Sequence, residues 1–443
     1  MSDNNQTTPT TAWNTIKAVP GDPILGVNVE YNKDTNPNKV NLSIGAYKDE
    51  KGNPYTLKCV SKAVEKYAKD QINHEYLPIG GSPEFLMHAT KLAYKSDFKY
   101  LNRVAAIQSL SGSGALRIAD RFLFEFYPFH KKIYFSKPTW GNHLAIARGA
   151  RLEIGEYRYY DPKTLGVDFE GMIQDLENLE EHSIVLFHAC AHNPTGVDLS
   201  HEQWQKVLEI VKKKKILPYF DMAYQGFATG DVDEDAYAVR LFANEGLDMV
   251  LCQSFSKNLG LYGERIGCLS FLTQNEEEKN AVKTNLERIA RSEYSNPPKF
   301  GAMIVNYVMG DEELKKEWSE EIHMMGNRIK KMREMLKQKL IEIGSKRNWD
   351  SITKQKGMFS YTGFTPEQVD RLKNEFHIYA IRNGRISIPG LNPGNVEYVA
   401  KAFHEITKDE KKKKKNYIIL YDINYIKKYI FEQLVYYITY FIY

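Results

Sequence analysis

Four short clusters in this sequence combine residue types that can do chemistry. The first is Ser254-Phe255-Ser256-Lys257, followed by Gly260, Gly263 and Arg265, directly after the apolar run Met249-Val250-Leu251-Cys252. A lysine just past a buried strand sits in a partly dry pocket. There the cost of burying charge lowers its pKa and leaves a neutral amine, a nucleophile toward aldehydes. Ser254, Ser256 and Arg265 offer the neutral donors and the bidentate cation that suit a phosphate. Taken alone, such a Ser-x-Ser-Lys is also at home on a solvated loop.

The second cluster, Ser111-Gly112-Ser113-Gly114-Ala115-Leu116-Arg117, follows the strand-like run Val104 to Leu110. Its glycines let backbone N–H groups approach an anion, and a helix start adds a favourable partial charge. It lacks the Gly-Lys-Ser/Thr of a nucleotide-binding loop, so a single phosphate fits better than a nucleotide; an ordinary strand-to-helix turn fits as well. The third is Asp221 with Tyr224, at the end of the apolar run Ile216 to Phe220. A carboxylate there can pair with a protonated pyridine nitrogen, and Tyr224 can reach a phenolic oxygen; a helix cap is the alternative use of Asp221. The fourth is His188-Ala189-Cys190-Ala191-His192-Asn193-Pro194-Thr195-Gly196. Its two histidines invite a metal, but on a Pro/Gly loop they share no helical face and have no third ligand nearby, so no metal is expected. Asn193 as a donor to the phenolic oxygen is the better use. An amine for an aldehyde, a phosphate cradle and a carboxylate for a pyridinium together form the donor set of pyridoxal 5'-phosphate (PLP).

These clusters need elements to position them. From about residue 84, helical patterns alternate with short β-branched or aromatic runs: Val104 to Leu110, Lys132 to Phe135, Arg151 to Tyr157, Ser183 to Phe187, Ile216 to Phe220, Met249 to Cys252 and Cys268 to Leu272. That alternation predicts an α/β fold with a mostly parallel sheet, whose ligands gather beyond the carboxyl ends of the strands. Val40 to Tyr47 predicts another strand, broken at Gly45, and residues 13–30 an extended arm leading into a helix near Ile24. Cys59 to Lys69 reads as a helix and Lys212 to Lys215 as the solvated end of another. Residues 311–345 predict one long helix bridging two domains. Beyond it, Met358 to Tyr361, Ile378 to Ile381 and Arg385 to Ile388 predict strands of a smaller α/β unit, closed by a helix over Asn395 to Ile406.

With 443 residues, 42% hydrophobic and 26% charged, the chain has the composition of a soluble protein of more than one domain. Cys59, Cys190, Cys252 and Cys268 are scattered, which argues against a disulfide framework and suits a reducing compartment. The polar stretch Met1 to Ala12 shows neither a secretory nor a transit pattern, so the cytosol is the expected location. No run of 18 apolar residues is present to span a membrane. Of the formal charge of +4, all the surplus lies in residues 408–443, which hold eight lysines against four acids; the body is formally neutral. Nucleic-acid or membrane binding could therefore rest only on that tail, and neither is expected.

The four clusters stand together and in the chain order of fold-type I PLP enzymes. From about Asp22-Pro23-Ile24-Leu25-Gly26 to about Thr407, some nine tenths of the sequence, the chain resembles the class I aminotransferases, and among them the aspartate aminotransferases. The resemblance implies a large PLP-binding domain (54–319), a small α/β domain (21–53 with 320–407), an N-terminal arm (1–20) and, outside the family pattern, a Lys/Tyr-rich tail (408–443).

It further implies that Ser111, Gly112, Ser113, Ser254, Ser256 and Arg265 hold the cofactor phosphate, with Tyr76 reaching it from the neighbouring subunit of a homodimer with shared sites. Trp140 stacks on the pyridine ring, Asp221 pairs with its nitrogen, and Asn193 and Tyr224 reach its phenolic oxygen. His143 and His188 stand behind Asp221. Ile44 and Gly45 line the substrate entrance, Arg385 clamps the α-carboxylate, and Arg291 of the neighbouring subunit clamps the side-chain carboxylate. Ser113 stands where many members have threonine, and Lys48 where many have arginine; both keep the chemistry.

The implied activity is ping-pong transamination between L-aspartate and 2-oxoglutarate, giving oxaloacetate and L-glutamate through an aldimine on Lys257. Catalysis would rest on Lys257, Asp221 and Tyr224. Aromatic amino acids are the runner-up substrates, since relatives that accept them share these motifs. Two other classes, a non-catalytic scaffold and a surface binder working through the lysine-rich tail, fit less well: the first predicts loss of Lys257 or Asp221, and the second rests on a short charge run.

Overall fold

The computed structural model describes residues 11–19 and 21–408. Its centre is a seven-stranded sheet in the order Val104–Leu110, Ile266–Leu272, Met249–Ser254, Leu217–Met222, Ile184–His188, Lys132–Lys137, Glu153–Arg158. All neighbours are parallel except Ile266–Leu272, which runs antiparallel to both strands beside it. Four inner strands are buried at every residue, so they are continuous apolar runs with no polar face to alternate. The edge strand Glu153–Arg158 exposes half of its residues. Helices cover both faces, as strand–helix alternation requires. The carboxyl ends of six strands and the amino end of Ile266–Leu272 meet at one edge. That brings Ser111, Trp140, His188, Asp221, Ser254 and Arg265 to the same side of the sheet.

The long charged pattern forms the 31-residue helix Glu312–Glu342. Asp311 caps its start, accepting from the N–H groups of Glu313 and Leu314. Trp318, Ile322, Met325, Ile329, Met332, Leu336 and Leu340 recur at helical spacing and are buried. The lysine run closes the helix His201–Lys214, with Lys215 in the left-handed region just beyond it.

The Val40 to Tyr47 run departs from expectation. Only Val40–Asn41 is a strand, parallel to Ile378–Tyr379; the rest is irregular. Its backbone groups are used elsewhere: the Ser387 N–H donates to the Leu42 carbonyl (2.7 Å) and the Tyr47 N–H to the Tyr262 hydroxyl (2.9 Å). Gly45 packs against Phe359, since an added Cβ there would lie 2.6 Å from Phe359 Cζ. Phe359–Tyr361 pairs antiparallel with Arg385–Ser387. The four cysteines are buried and free. Among the described residues no helix is long and apolar enough to cross a membrane. The tail reading, from residue 409 on, lies outside the described residues, as do residues 1–10 of the arm.

Candidate active site

Ser111 takes φ +59°, a left-handed turn that swings the chain from its strand into the helix Ser111–Phe126. Its hydroxyl lies 2.9 Å from that of Ser254 and 2.8 Å from that of Ser256. Arg265, at φ +52°, accepts the Ser111 N–H with its carbonyl (3.1 Å) and donates from Nη1 to Ser256 Oγ (3.4 Å). The helix start has no side-chain cap, so its first N–H groups keep free donor capacity. Gly112 is buried in that first turn and Ser113 half-buried. Gly267 makes the close packing possible: a Cβ there would fall 2.6 Å from both the Gln253 oxygen and the Ser111 carbonyl carbon. Three hydroxyls, one arginine and an uncapped helix start, with no carboxylate among them, fit a phosphate.

Lys257 follows in the turn that Gly260 closes at φ +65°. Its amine lies 5.0 Å from the centre of the Tyr224 ring. Burial, with Arg265 adding and Asp221 opposing, pushes the amine down to about 8, so a substantial fraction is neutral near physiological pH.

Asp221 is buried and its Oδ2 lies 3.0 Å from His143 Nε2. His143 Nδ1 meets Thr139 Oγ1 at 2.9 Å, Thr139 Oγ1 meets His188 Nε2 at 3.0 Å, and the Asn193 N–H donates to His188 Nδ1 at 3.4 Å. One backbone N–H fixes the polarity at one end of the row. It can only donate, so His188 Nδ1 accepts. Burial holds His188 neutral, pushing it down to about 3, so Nε2 carries its hydrogen and donates to Thr139. At the other end of the row, His143 Nε2 donates to the Asp221 carboxylate, which can only accept. Burial pushes the Asp221 carboxyl up, but the His143 hydrogen bond and the positive groups around it, Lys257 among them, together outweigh it, and the group stays below the usual carboxylate range. His192, also neutral by burial, is held by Ser136 (2.8 Å) and Thr195 (2.7 Å); both histidines of the fourth cluster thus serve as hydrogen-bonding groups.

Arg385 is only 4% exposed. It donates to Asn193 Oδ1 (3.2 Å) and to the Ser43 carbonyl (2.8 Å), and its guanidinium carbon lies 4.2 Å from the centre of Phe359. Its Nε is buried without a partner, and among the described residues no carboxylate pairs with it. A buried cation with neutral partners and spare donors is built to receive a carboxylate from outside. Phe359 stands edge-on to Tyr224 (5.7 Å), whose hydroxyl accepts from Asn193 Nδ2 (3.5 Å). Trp140 is half-buried and edge-on to His143 (5.2 Å).

The frame that carries Asn193 and Phe359 was not apparent in the sequence. Asp198 accepts the N–H groups of Ala191 (2.7 Å) and His192 (2.9 Å). Arg333, 2% exposed, donates to the carbonyls of Ile352, Gly357 and Phe359 (2.8, 2.8 and 2.5 Å). Gly196, at φ +66°, lets the two loops touch, since a Cβ there would lie 2.5 Å from the Phe359 oxygen. Arg333 sits in a helix full of surface cations, and nothing in its spacing separates it from them. Gly196 was the one available signal.

Two expected site residues are not gathered. Tyr76 is 86% exposed, and Arg291 is exposed at the end of the helix Glu276–Tyr294, where it bonds Ser295.

Residues 37–403 match the family model described as aminotransferase class I and II. The chain is 50% identical over 404 residues, 91% of its length and 95% of the relative's, to a mitochondrial aspartate aminotransferase of Dictyostelium discoideum. Its fold superposes on the cytoplasmic aspartate aminotransferase of Saccharomyces cerevisiae with a TM-score of 0.88, at 43% identity, over 90% of this chain and 99% of that one. An aromatic-amino-acid aminotransferase of Burkholderia pseudomallei, covalently bound to pyridoxal phosphate, gives a TM-score of 0.87 at 42% identity, over 89% and 99%. Three curated relatives at 46–50% identity are each named mitochondrial, which overturns the cytosolic expectation. Targeting signals in general are short segments, so the composition of a catalytic body does not report a compartment.

Proposed function

The chain belongs to the class I and II aminotransferases, and on that premise we propose how its residues perform PLP-dependent transamination between L-aspartate and 2-oxoglutarate, giving oxaloacetate and L-glutamate in two ping-pong half-reactions. The observation that carries this reading is the Lys257 amine, pushed down to about 8, beside a phosphate cradle, a histidine-held carboxylate and a buried arginine with which no carboxylate among the described residues pairs. When bound, PLP supplies the electron sink that makes the substrate Cα–H acidic.

Ser111, Ser113, Ser254, Ser256, Arg265 and the N–H of Gly112 would hold its phosphate. Asp221, kept ionised by His143, would hold a proton on the pyridine nitrogen; Asn193 and Tyr224 would donate to the phenolic oxygen, and Trp140 would cover the ring. Arg385 binds the α-carboxylate and so orients the Cα–H bond toward Lys257. Lys257 Nζ takes that proton and returns it on the far side of the reaction. Arg291 and Tyr76, both exposed on the isolated chain, would act in the neighbouring subunit of a homodimer, on the side-chain carboxylate and the cofactor phosphate. In the division proposed here, an arm over 1–20, a large domain over 54–319 and a small domain over 21–53 with 320–407, Lys257 would belong to the large domain and Arg385 to the small one.

Aromatic substrates are the second reading, favoured by the likeness to an aromatic-amino-acid aminotransferase. Turnover of aspartate and of phenylalanine, each with 2-oxoglutarate, separates the two. A higher kcat/KM for aspartate is expected, and a preference for phenylalanine would overturn the assignment.

A further inference from the structure

Away from Lys257, a cavity of about 390 Å³ opens between the loop after the helix Pro23–Lys33, the turn at Lys48 to Gly52, and the segment Gly390 to Asn395. None of the residues assigned above to cofactor or substrate lines it. Three lysines do, Lys39, Lys48 and Lys51, together with the amides Asn38, Asn392 and Asn395; no Asp or Glu does. Lys48 is half-buried, and burial lowers its pKa, yet among the described residues no carboxylate pairs with it or with Lys51. Lys39 is held in place by donating to the carbonyls of Tyr31 (3.0 Å) and Asp34 (2.6 Å), which leaves one of its three donors.

Two further features add positive potential. Arg328, 7% exposed, ties two walls of the cavity together by donating to the Asp49 and Leu391 carbonyls (2.9 Å each), while its Nε and Nη1 are buried without partners. The 12-residue helix Val396–Thr407 begins at the wall formed by Gly394 and Asn395; the N–H groups of Asn395 and Val396 already donate to Asn392, so what the helix start contributes is its dipole. The neighbouring acids are engaged elsewhere. Asp49 accepts from the N–H groups of Lys51 (2.9 Å) and Asn53 (2.8 Å), Asp34 accepts from Tyr379 (2.7 Å) and pairs with His377, and Glu397 pairs with Lys401. Glu50 is exposed and lines no part of the cavity.

We propose that this cavity binds a phosphoryl group, as the free ion or as the ester of a small metabolite. Lys39, Lys48 and Lys51 act as its counter-ions, and the dipole of the helix that starts beyond Asn395 adds to their field. A dianion with acceptor oxygens pointing several ways matches three lysines on two facing segments better than a single carboxylate does. The site also adjoins the substrate side. Asn41, in its wall, runs through Leu42 to Ser43, whose carbonyl accepts from Arg385, and Gly390 packs so tightly on Asn41 that a Cβ would fall 2.3 Å from the Asn41 oxygen.

The test uses the PLP-loaded holoenzyme, so that the cofactor occupies the cradle at Ser254 and Arg265. Phosphorus NMR line broadening and thermal unfolding are followed against inorganic phosphate and against glycerol 3-phosphate, with sodium chloride at matched ionic strength as the reference. Saturable broadening and a rise in Tm beyond chloride are expected. Lys48→Gln with Lys51→Gln should weaken the apparent Kd by about tenfold or more, while Lys213→Gln, on a solvated helix end, should leave it unchanged. Binding of both probes identifies an organic phosphate as the ligand, and binding of the free ion alone identifies phosphate itself. No saturable response beyond chloride, or the same Kd in the double variant and the wild type, would overturn the proposal.

Discussion

Arg385 and Arg291 enter the sequence with the same chemistry and leave the fold in opposite states. Arg385 is buried, carried on Phe359 and anchored by Asn193 and Ser43 before any substrate arrives. Arg291 is exposed at a helix end with a serine for company. The first is preorganised, its conformational entropy lost on folding; the second has to be ordered by whatever it meets. On the proposed reading, one chain would build the half of the site that is common to all amino acids and leave outside the half that would read a second carboxylate. The exposed state of Tyr76 fits the same division.

That contrast can be broken at several points. The largest effect is expected at the centre the two arginines serve: Lys257→Ala should lower transamination by at least about 10⁴-fold, while the protein still takes up PLP through its phosphate contacts. Near-normal turnover in this variant would remove the amine from the reaction. Next, Arg385→Ala should lose about 4 kcal/mol or more in kcat/KM for aspartate and alanine alike, and should lower Tm, because Asn193 Oδ1 and the Ser43 carbonyl are left buried without their donor. A loss confined to aspartate would mean that Arg385 reads the side chain and not the α-carboxylate.

Arg291→Ala should cost about 3 kcal/mol in kcat/KM for aspartate and far less for alanine, with Tm unchanged because the residue is exposed. Mixing this variant with Lys257→Ala sharpens the point. At statistical exchange in a twofold dimer, about one quarter of wild-type turnover should return, since one site of each hybrid is intact. If subunits demonstrably exchange and nothing returns, Arg291 works in its own chain.

A smaller effect concerns pH. With its amine pushed down to about 8, cofactor-free protein should react with pyridoxal phosphate at a rate that rises with pH and levels off near 8; an ordinary lysine would keep gaining to about 10.4. The linkage has a definite sign: a lysine whose folded pKa is depressed adds stability as pH rises from about 8 toward the unfolded value, because only the unfolded chain still holds the proton. A rate that climbs without a bend to pH 10 would show an unperturbed amine. The smallest effect is expected from ending the chain at Thr407, where the last described helix has already buried Phe403 and Ile406. Turnover per bound PLP should not change, and a tenfold loss would make the tail a working part of the enzyme.

Much of this molecule is legible in the residues alone. The inner strands are unmistakable because burial on both faces demands mainly apolar runs, and each of the parallel ones ends at a polar cluster because ligands bind beyond carboxyl ends. Lys257, Asp221, Asn193 and Arg265 could therefore be named from types and positions near strand ends. The Val40 to Tyr47 run misled because alternation signals a half-buried surface, and a surface can be covered by Phe359 and Arg385 instead of a neighbouring strand. What tertiary structure alone decided is which identical residues became different. It made Arg333 and Arg328 buried ties while other cations of the same helix stayed in water, and it made Arg385 a preformed clamp while Arg291 stayed outside. It also set the direction of the hydrogen-bond row behind Asp221. These outcomes depend on which backbone carbonyls and amides happen to lie within 3 Å of a side chain after the chain has packed, and residue spacing along a helix or strand does not encode that.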